Sequence, residues 1–252
     1  MREAISRRIS RRTYRDPLNV DDIREINRLI DEVNRTAGLT LVLETDAEKA
    51  FVSKKYTKGF IRHATSVILM KGPSDMRDLK EKIGYYGEGL VLDLVDRDYG
   101  TCWVAGTMDR SVFSVDDNET LVCVLIVGHV GAQDVSEKTV RSMIRMSAKK
   151  PEEMIAGDKE IPEWIMQGME AVVKAPSAVN RQKPRFQYRN NVLTAEVPDD
   201  YVMDLVDLGI AKRHFVESAG GFFDFGNGAA YHIGGTPESN PDIDEGTGKQ
   251  NE

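Results

Sequence analysis

GYYGEGLVLDLVDRDYGTCWVAG, residues 84–106, joins a helix to a strand, and the rest of the chain can be read outward from it. Leu79, Ile83, Tyr86, Leu90 and Leu94 step along one face at helical spacing, so a helix runs into the first half of the stretch. Gly84, Gly87 and Gly89 interrupt it, each at about 1 kcal/mol against alanine. Three such costs in one helix point to close packing against another helix or a flat ligand. The second half, YGTCWVAG, turns into a strand in which Gly100 permits close backbone approach and Trp103 fills core. A polar loop leads on to LVCVLIV, residues 121–127, the most apolar strand of the chain.

On the N-terminal side, Asp21 and Asp22 can cap a helix that carries Ile23, Ile26, Leu29, Ile30 and Val33 and ends near Asn34. LTLVLETD and TSVILM follow as strands. On the C-terminal side a charged seam, residues 136–157, bears a short stripe of Val140, Met143 and Ile144. Pro162 then opens a helix with Ile165, Met169, Val172 and Val173, which stops at Ala175 and Pro176. Strand-like pieces lie around Phe186 and at 191–197, and a helix runs over 201–217. The halves repeat an order of parts: the step from Arg12 to Ala37 equals that from Lys150 to Ala175, pairing RRTYR with KKPEE and Arg15 with Glu153. This divides the chain into a first half, 1–150, a second half, 151–236, and an acidic tail, 237–252, expected to be disordered or else draped on the surface.

The chain has 252 residues, 40% hydrophobic and 30% charged, enough for one large or two small cores. Its 34 basic against 41 acidic side chains give a net charge of −7, which excludes a field able to hold nucleic acid or an anionic membrane. Cys102 and Cys123 lack the spacing of a disulfide framework or a zinc site, so both read as thiols in a reducing compartment. Residues 121–127 are too few to span a bilayer, and MREAISRRISRR is charged where a signal peptide is apolar, so the expected location is cytoplasmic.

Three motifs carry chemistry. In RRTYR, residues 11–15, Arg11, Thr13 and Arg15 alternate, so an extended chain points two guanidiniums and a hydroxyl the same way, toward a phosphate. A solvated basic terminus fits the same letters. APSAVNRQKP, residues 175–184, offers backbone N–H groups and the Asn180 amide to the edge of a heteroaromatic ring, or is an ordinary helix stop. The third is TCW. Cys102 would be a nucleophile only beside a base, and His63, His129, His214 and His232 have no spacing that nominates one.

Together RRTYR, GYYGEGLVLDLVDRDYGTCWVAG and APSAVNRQKP resemble the FMN-dependent nitroreductases over most of the chain. The order is permuted, since the APS turn follows TCW, and TAGLTLVLE stands after the first helix instead. Family members are homodimers with FMN at the subunit interface, so the chain resembles a single-chain, pseudo-dimeric branch, with one complete site in one chain and no partner needed to form it. The implied fold class is α+β, nitroreductase-like, with a central, mostly antiparallel sheet flanked by helices and two similar halves. The resemblance implies that Arg11, Arg12 and Thr13 hold the FMN phosphate and that Arg15 reaches the phosphate or the flavin N1/O2 edge. Pro176, Ser177, Ala178 and Asn180 would meet the pyrimidine side. The backbone of Thr101, Cys102, Trp103, Val104, Ala105 and Gly106 would line the ring or its N5 side. KKPEEM matches a family pattern that adds Arg145, Lys149 and Lys150 as phosphate ligands, in competition with the repeat pairing. NAD(P)H is the implied electron donor and a nitroaromatic or quinone the small-molecule acceptor. No catalytic side-chain acid or base and no metal is expected. Another acceptor, or flavin binding without turnover, is the alternative reading.

Overall fold

In the computed structural model, which describes residues 1–51, 61–135, 137–139, 142, 148–158 and 160–235, a one-turn helix α1 (Glu3–Arg7) precedes the long helix α2 (Val20–Ala37). The cap of α2 is Asn19 rather than the acidic pair. Asn19 Oδ1 accepts the N–H groups of Asp21 (2.8 Å) and Asp22 (3.1 Å), while Asp22 returns a carboxylate oxygen to the Asn19 N–H at 2.8 Å. Nor does the helix end near Asn34. It continues to Gly38, whose φ of 66° is the left-handed stop that glycine takes freely. Asn34 instead clamps the following chain, bonding both the N–H and the carbonyl of Leu41.

β1 (Val42–Glu44), β2 (Val67–Pro73), β3 (Gly100–Val104) and β4 (Glu119–Gly128) form an antiparallel sheet in the order β1-β2-β4-β3, and α3 (Leu79–Asp96) connects β2 to β3. The apolar runs are buried on both faces. Ile68, Met70, Cys123, Leu125 and Val127 pack with Ile26 and Leu29 of α2 and with Ile83 and Leu90 of α3. Val67, Leu69, Val124 and Ile126 pack with Cys102, Val104, Tyr14 and Phe51 on the other side. Two covered faces explain why LVCVLIV is a continuous apolar run instead of an alternating one.

The second half does not extend this sheet, which corrects the expectation of one central sheet. β5 (Ile155–Gly157) runs parallel to β6 (Arg185–Arg189), which pairs antiparallel with β7 (Val192–Glu196), and β8 (Phe222–Phe223) and β9 (Tyr231–His232) form a separate ribbon. The hairpin buries Phe186, Leu193 and Ala195 against Met169 of α4 (Glu163–Val172) and Phe215 of α5 (Asp204–Ala219), so its apolar face is already covered. α5 belongs to both cores, with Val206 and Ile210 in the first and Leu208, Ala211 and Phe215 in the second.

α3 and α5 touch backbone to backbone. A Cβ on Gly84 would lie 2.1 Å from the Val206 carbonyl oxygen, and one on Gly209 would lie 2.0 Å from that of Glu81. The same chain separation relates Gly84 to Gly209, Glu81 to Val206 and Tyr85 to Ile210, so the crossing is locally two-fold. The pairing of Arg12 with Lys150 does not reach it, for it would set Gly84 opposite Phe222. The chain between α4 and α5 is shorter than that between α2 and α3, and the register changes there. The other two glycines serve packing as well: Gly87 makes room for the Trp103 indole and Gly89 for the Arg213 guanidinium. The tail at 237–252 and the stripe of Val140, Met143 and Ile144 lie outside the described residues.

Candidate functional site

The basic box runs alongside the edge of β3. Arg11 donates its N–H to the Thr101 carbonyl (2.8 Å), Tyr14 to that of Arg62 (3.1 Å) and Arg15 to that of His129 (2.9 Å). The buried Tyr14 hydroxyl donates back to the Arg11 carbonyl at 2.9 Å, which fixes the extended form. In this form Arg11 is 7% exposed, so the box is not a solvated terminus.

Its donors meet on one carboxylate. Arg12 N–H (2.7 Å), Thr13 N–H (3.1 Å) and Arg11 Nε (3.3 Å) all reach Glu137 Oε1, and Arg11 Nη2 reaches Oε2 at 3.2 Å. Arg11 Nη2 also bonds the Gly131 carbonyl at 2.9 Å, and the Thr13 hydroxyl donates to Asp134 Oδ2 at 2.9 Å. Burial alone would raise the Glu137 carboxyl. The N–H of Arg12, the Arg11 guanidinium and the N–H of Thr13 outweigh it and hold the group below the usual carboxylate range. Arg15 is exposed, its guanidinium lying where a side chain on Gly131 would go.

Along β3, Thr101, Cys102 and Val104 are buried. Burial raises both thiols, that of Cys123 to about 12. Trp103 donates its indole N–H to Glu88 Oε2 at 2.8 Å, inside the α3–α5 core. Glu88 Oε1 lies 2.8 Å from His214 Nε2 and 3.6 Å from Arg8 Nε, while His214 Nδ1 faces the Ala171 carbonyl at 3.0 Å. Both ring nitrogens therefore meet acceptors. Ala105 and Gly106 leave the sheet and line a groove of about 490 Å³ together with Met108, Arg110, Tyr201 and Met203.

The APS turn sits on the first turn of α5. Ala178 donates its N–H to both Asp207 oxygens at 3.0 Å, and Ser177 Oγ accepts the Gln182 N–H at 3.0 Å. Val179 (φ 53°) and Asn180 (φ 54°) are left-handed, and Val179 is 86% exposed, so the turn presents its tip outward. Pro176 and Ser177 line a cavity of about 10 Å³ with Asp207 and Gln182, room for about one water. Burial pushes Asp207 up to about 7, although the Ala178 N–H pulls the other way. Lys149 joins this turn: its Nζ donates to the Gln182 carbonyl (2.6 Å) and its N–H to Gln182 Oε1 (2.9 Å). Lys150 is exposed, donates its N–H to Glu153 Oε2 at 2.6 Å and opens the short turn at Pro151–Glu153. Arg145 lies outside the described residues.

A family model described as "Putative TM nitroreductase" matches residues 1–219. The chain belongs to this nitroreductase family. The crystal structure of a "putative nitroreductase" from Thermotoga maritima is 19% identical, covers 91% of this chain and 90% of its own, and superposes with a TM-score of 0.58, so the two share a fold. An FMN-dependent nitroreductase from Clostridium difficile is 18% identical over 53% of this chain and 90% of its own, with a TM-score of 0.41. A "putative nitroreductase in complex with fmn" from Desulfovibrio desulfuricans is 17% identical over 54% of this chain and 92% of its own, with a TM-score of 0.40. No curated protein matches.

Several residues of this chain escaped the sequence reading. Glu137 and Asp134 carried a usable signal, because DVSE at 134–137 is the D-x-x-E spacing of a helix start, and Asp134 Oδ1 does accept the Glu137 N–H at 2.8 Å. Asp207 and the Glu88–His214 pair carried none, since the groups they meet lie far along the chain. No described helix is long and apolar enough to cross a membrane.

Proposed function

We propose that the chain is an FMN-dependent NAD(P)H oxidoreductase of nitroreductase type that holds one FMN within a single chain. The observation that carries this reading is the convergence of the Arg11 guanidinium, the N–H groups of Arg12 and Thr13 and the Thr13 hydroxyl onto neighbouring anionic oxygens. Such a donor set fits a phosphate monoester, with Glu137 and Asp134 as stand-ins for its oxygens. The chemistry supplied by bound FMN is two-electron transfer at flavin N5 between NAD(P)H and an oxidised acceptor such as a nitroaromatic or quinone.

The protein's own residues bind and orient. Arg11, Arg12 and Thr13 fix the phosphate, and Arg15, exposed beside them, supplies positive charge at the phosphate or the N1/O2 edge. Ala105 and Gly106, which line the groove, would lie beside the ring. Pro176, Ser177, Ala178 and Asn180, in the turn that Asp207 holds on α5, would meet its pyrimidine side. The pseudo-dimer part of the proposal is supported by the reciprocal crossing at Gly84 and Gly209, and by the box preceding Gly84 in sequence while the APS turn falls between Gly84 and Gly209. The test is the absorbance spectrum of the purified protein with mass identification of any released flavin, then NADH and NADPH oxidation with an added nitroaromatic. Bound FMN with acceptor-dependent oxidation supports the proposal. Bound flavin without turnover supports a flavin-binding protein instead, and no flavin refutes both.

A further inference from the structure

The carboxylate in the basic box has a consequence for how an anion enters. Glu137 is 1% exposed through its side chain, and its two oxygens take the Arg12 and Thr13 N–H groups and the Arg11 guanidinium. Asp134 takes the Thr13 hydroxyl, and its carboxylate lies 3.6 Å from Arg62 Nη1. The Arg11 guanidinium, the Arg12 and Thr13 N–H groups and the Thr13 hydroxyl are thus already bonded to a carboxylate, and carboxylate and phosphate cannot share the space, since like charges in a buried site repel. A phosphate monoester carries about −1.5 to −2 charge on three acceptor oxygens, against the single charge of Glu137. It matches the same donors and adds the Thr13 hydroxyl.

We propose that Glu137 is a built-in surrogate for the ligand's phosphate, which occupies the Arg11–Thr13 cradle until a phosphate monoester displaces it and which thereby sets the affinity of the site for anions. The proposal rests on the reading of the box as an anion site. It assigns Glu137 a role that opposes binding: the residue holds Arg11 paired and the backbone of the box extended while the ligand is absent, at the expense of ligand affinity. A chain relieved of the competing charge binds phosphate more tightly.

The experiment titrates the flavin-free chain and its Glu137→Gln variant with inorganic phosphate by calorimetry and with FMN by quenching of flavin fluorescence. The expected result is at least tenfold tighter binding of inorganic phosphate, and of FMN, by Glu137→Gln. Equal or weaker phosphate binding by the variant overturns the proposal while leaving the flavin reading intact if FMN still binds the parent. Tighter phosphate binding with no FMN binding by either chain supports the surrogate and refutes the flavin reading. Should Glu137→Gln fail to fold, hydrogen exchange of the parent chain decides. Added phosphate should speed exchange in peptides covering residues 133–139 while the amides of Arg12 and Thr13 stay protected. Unchanged or slower exchange over 133–139 overturns the proposal.

Discussion

Gly84 of α3 and Gly209 of α5 stand at one helix crossing, each turning its missing side chain onto the other helix's backbone. A methyl at Gly84 would come 2.1 Å from the Val206 oxygen and one at Gly209 would come 2.0 Å from the Glu81 oxygen. Backbone cannot yield as a side-chain tip can. Gly84→Ala and Gly209→Ala should therefore each lose about 3 kcal/mol or more in urea denaturation, at the upper end of overpacking costs. Gly106→Ala, with nothing within 4 Å of its Cβ, should change stability by about 0.5 kcal/mol or less. Similar losses for all three would mean the helices do not meet through these glycines.

Asp207 gives a pH dependence. Its folded value is about 7 against an ordinary 3.8, because burial disfavours the charged form. Between those values the folded chain keeps a proton that the unfolded chain releases, so stability falls as pH rises from about 4 to 7 and levels off above that. The loss is at most roughly 4 kcal/mol. Asp207→Asn keeps an acceptor for the Ala178 N–H and removes the titration, so its stability should be flatter over this range and exceed the parent's at pH 8. Parallel profiles in urea titrations at pH 5 and 8 would count against it.

The thiols should be silent. Burial raises Cys102 and Cys123, so neither supplies a thiolate at neutral pH. An aromatic disulfide reagent should label the native chain slowly and both cysteines at once in denaturant. Rapid native labelling of Cys102 would reopen a nucleophilic role.

What could be read from the sequence followed local periodicity. The helix through Leu90 and the strands at Val67 and Val124 are set by neighbours a few residues away, and the three glycines of α3 signal close packing in the sequence without naming the partner, which for Gly84 lies on α5. The box was recognisable as a cluster of donors because its residues are consecutive. The carboxylate on it was not, since Glu137 approaches from more than a hundred residues along the chain. The separate second sheet was hidden for a similar reason: whether the β6–β7 hairpin joins β1–β4 depends on Phe215 and Met169 covering it, and no local pattern encodes that.

Arg11 and Glu137 should prove coupled. The Arg11 guanidinium holds Glu137 now and would hold phosphate later, so Arg11→Ala weakens the competitor as well as the ligand. In the Glu137→Gln chain, Arg11→Ala should lower FMN affinity roughly tenfold to hundredfold, the worth of a charged hydrogen bond of about 1.5–3 kcal/mol. In the parent chain the fall should be smaller. Equal falls in a double-mutant cycle would show that the two residues act independently.

The central claim, one FMN held by one chain, is tested most directly by titrating flavin-free protein with FMN while its mass in solution is followed by sedimentation. The account predicts saturation at one FMN per chain, reached by the monomer without any need for a partner chain. Two equivalent sites per chain, or binding only in a dimer, would contradict it.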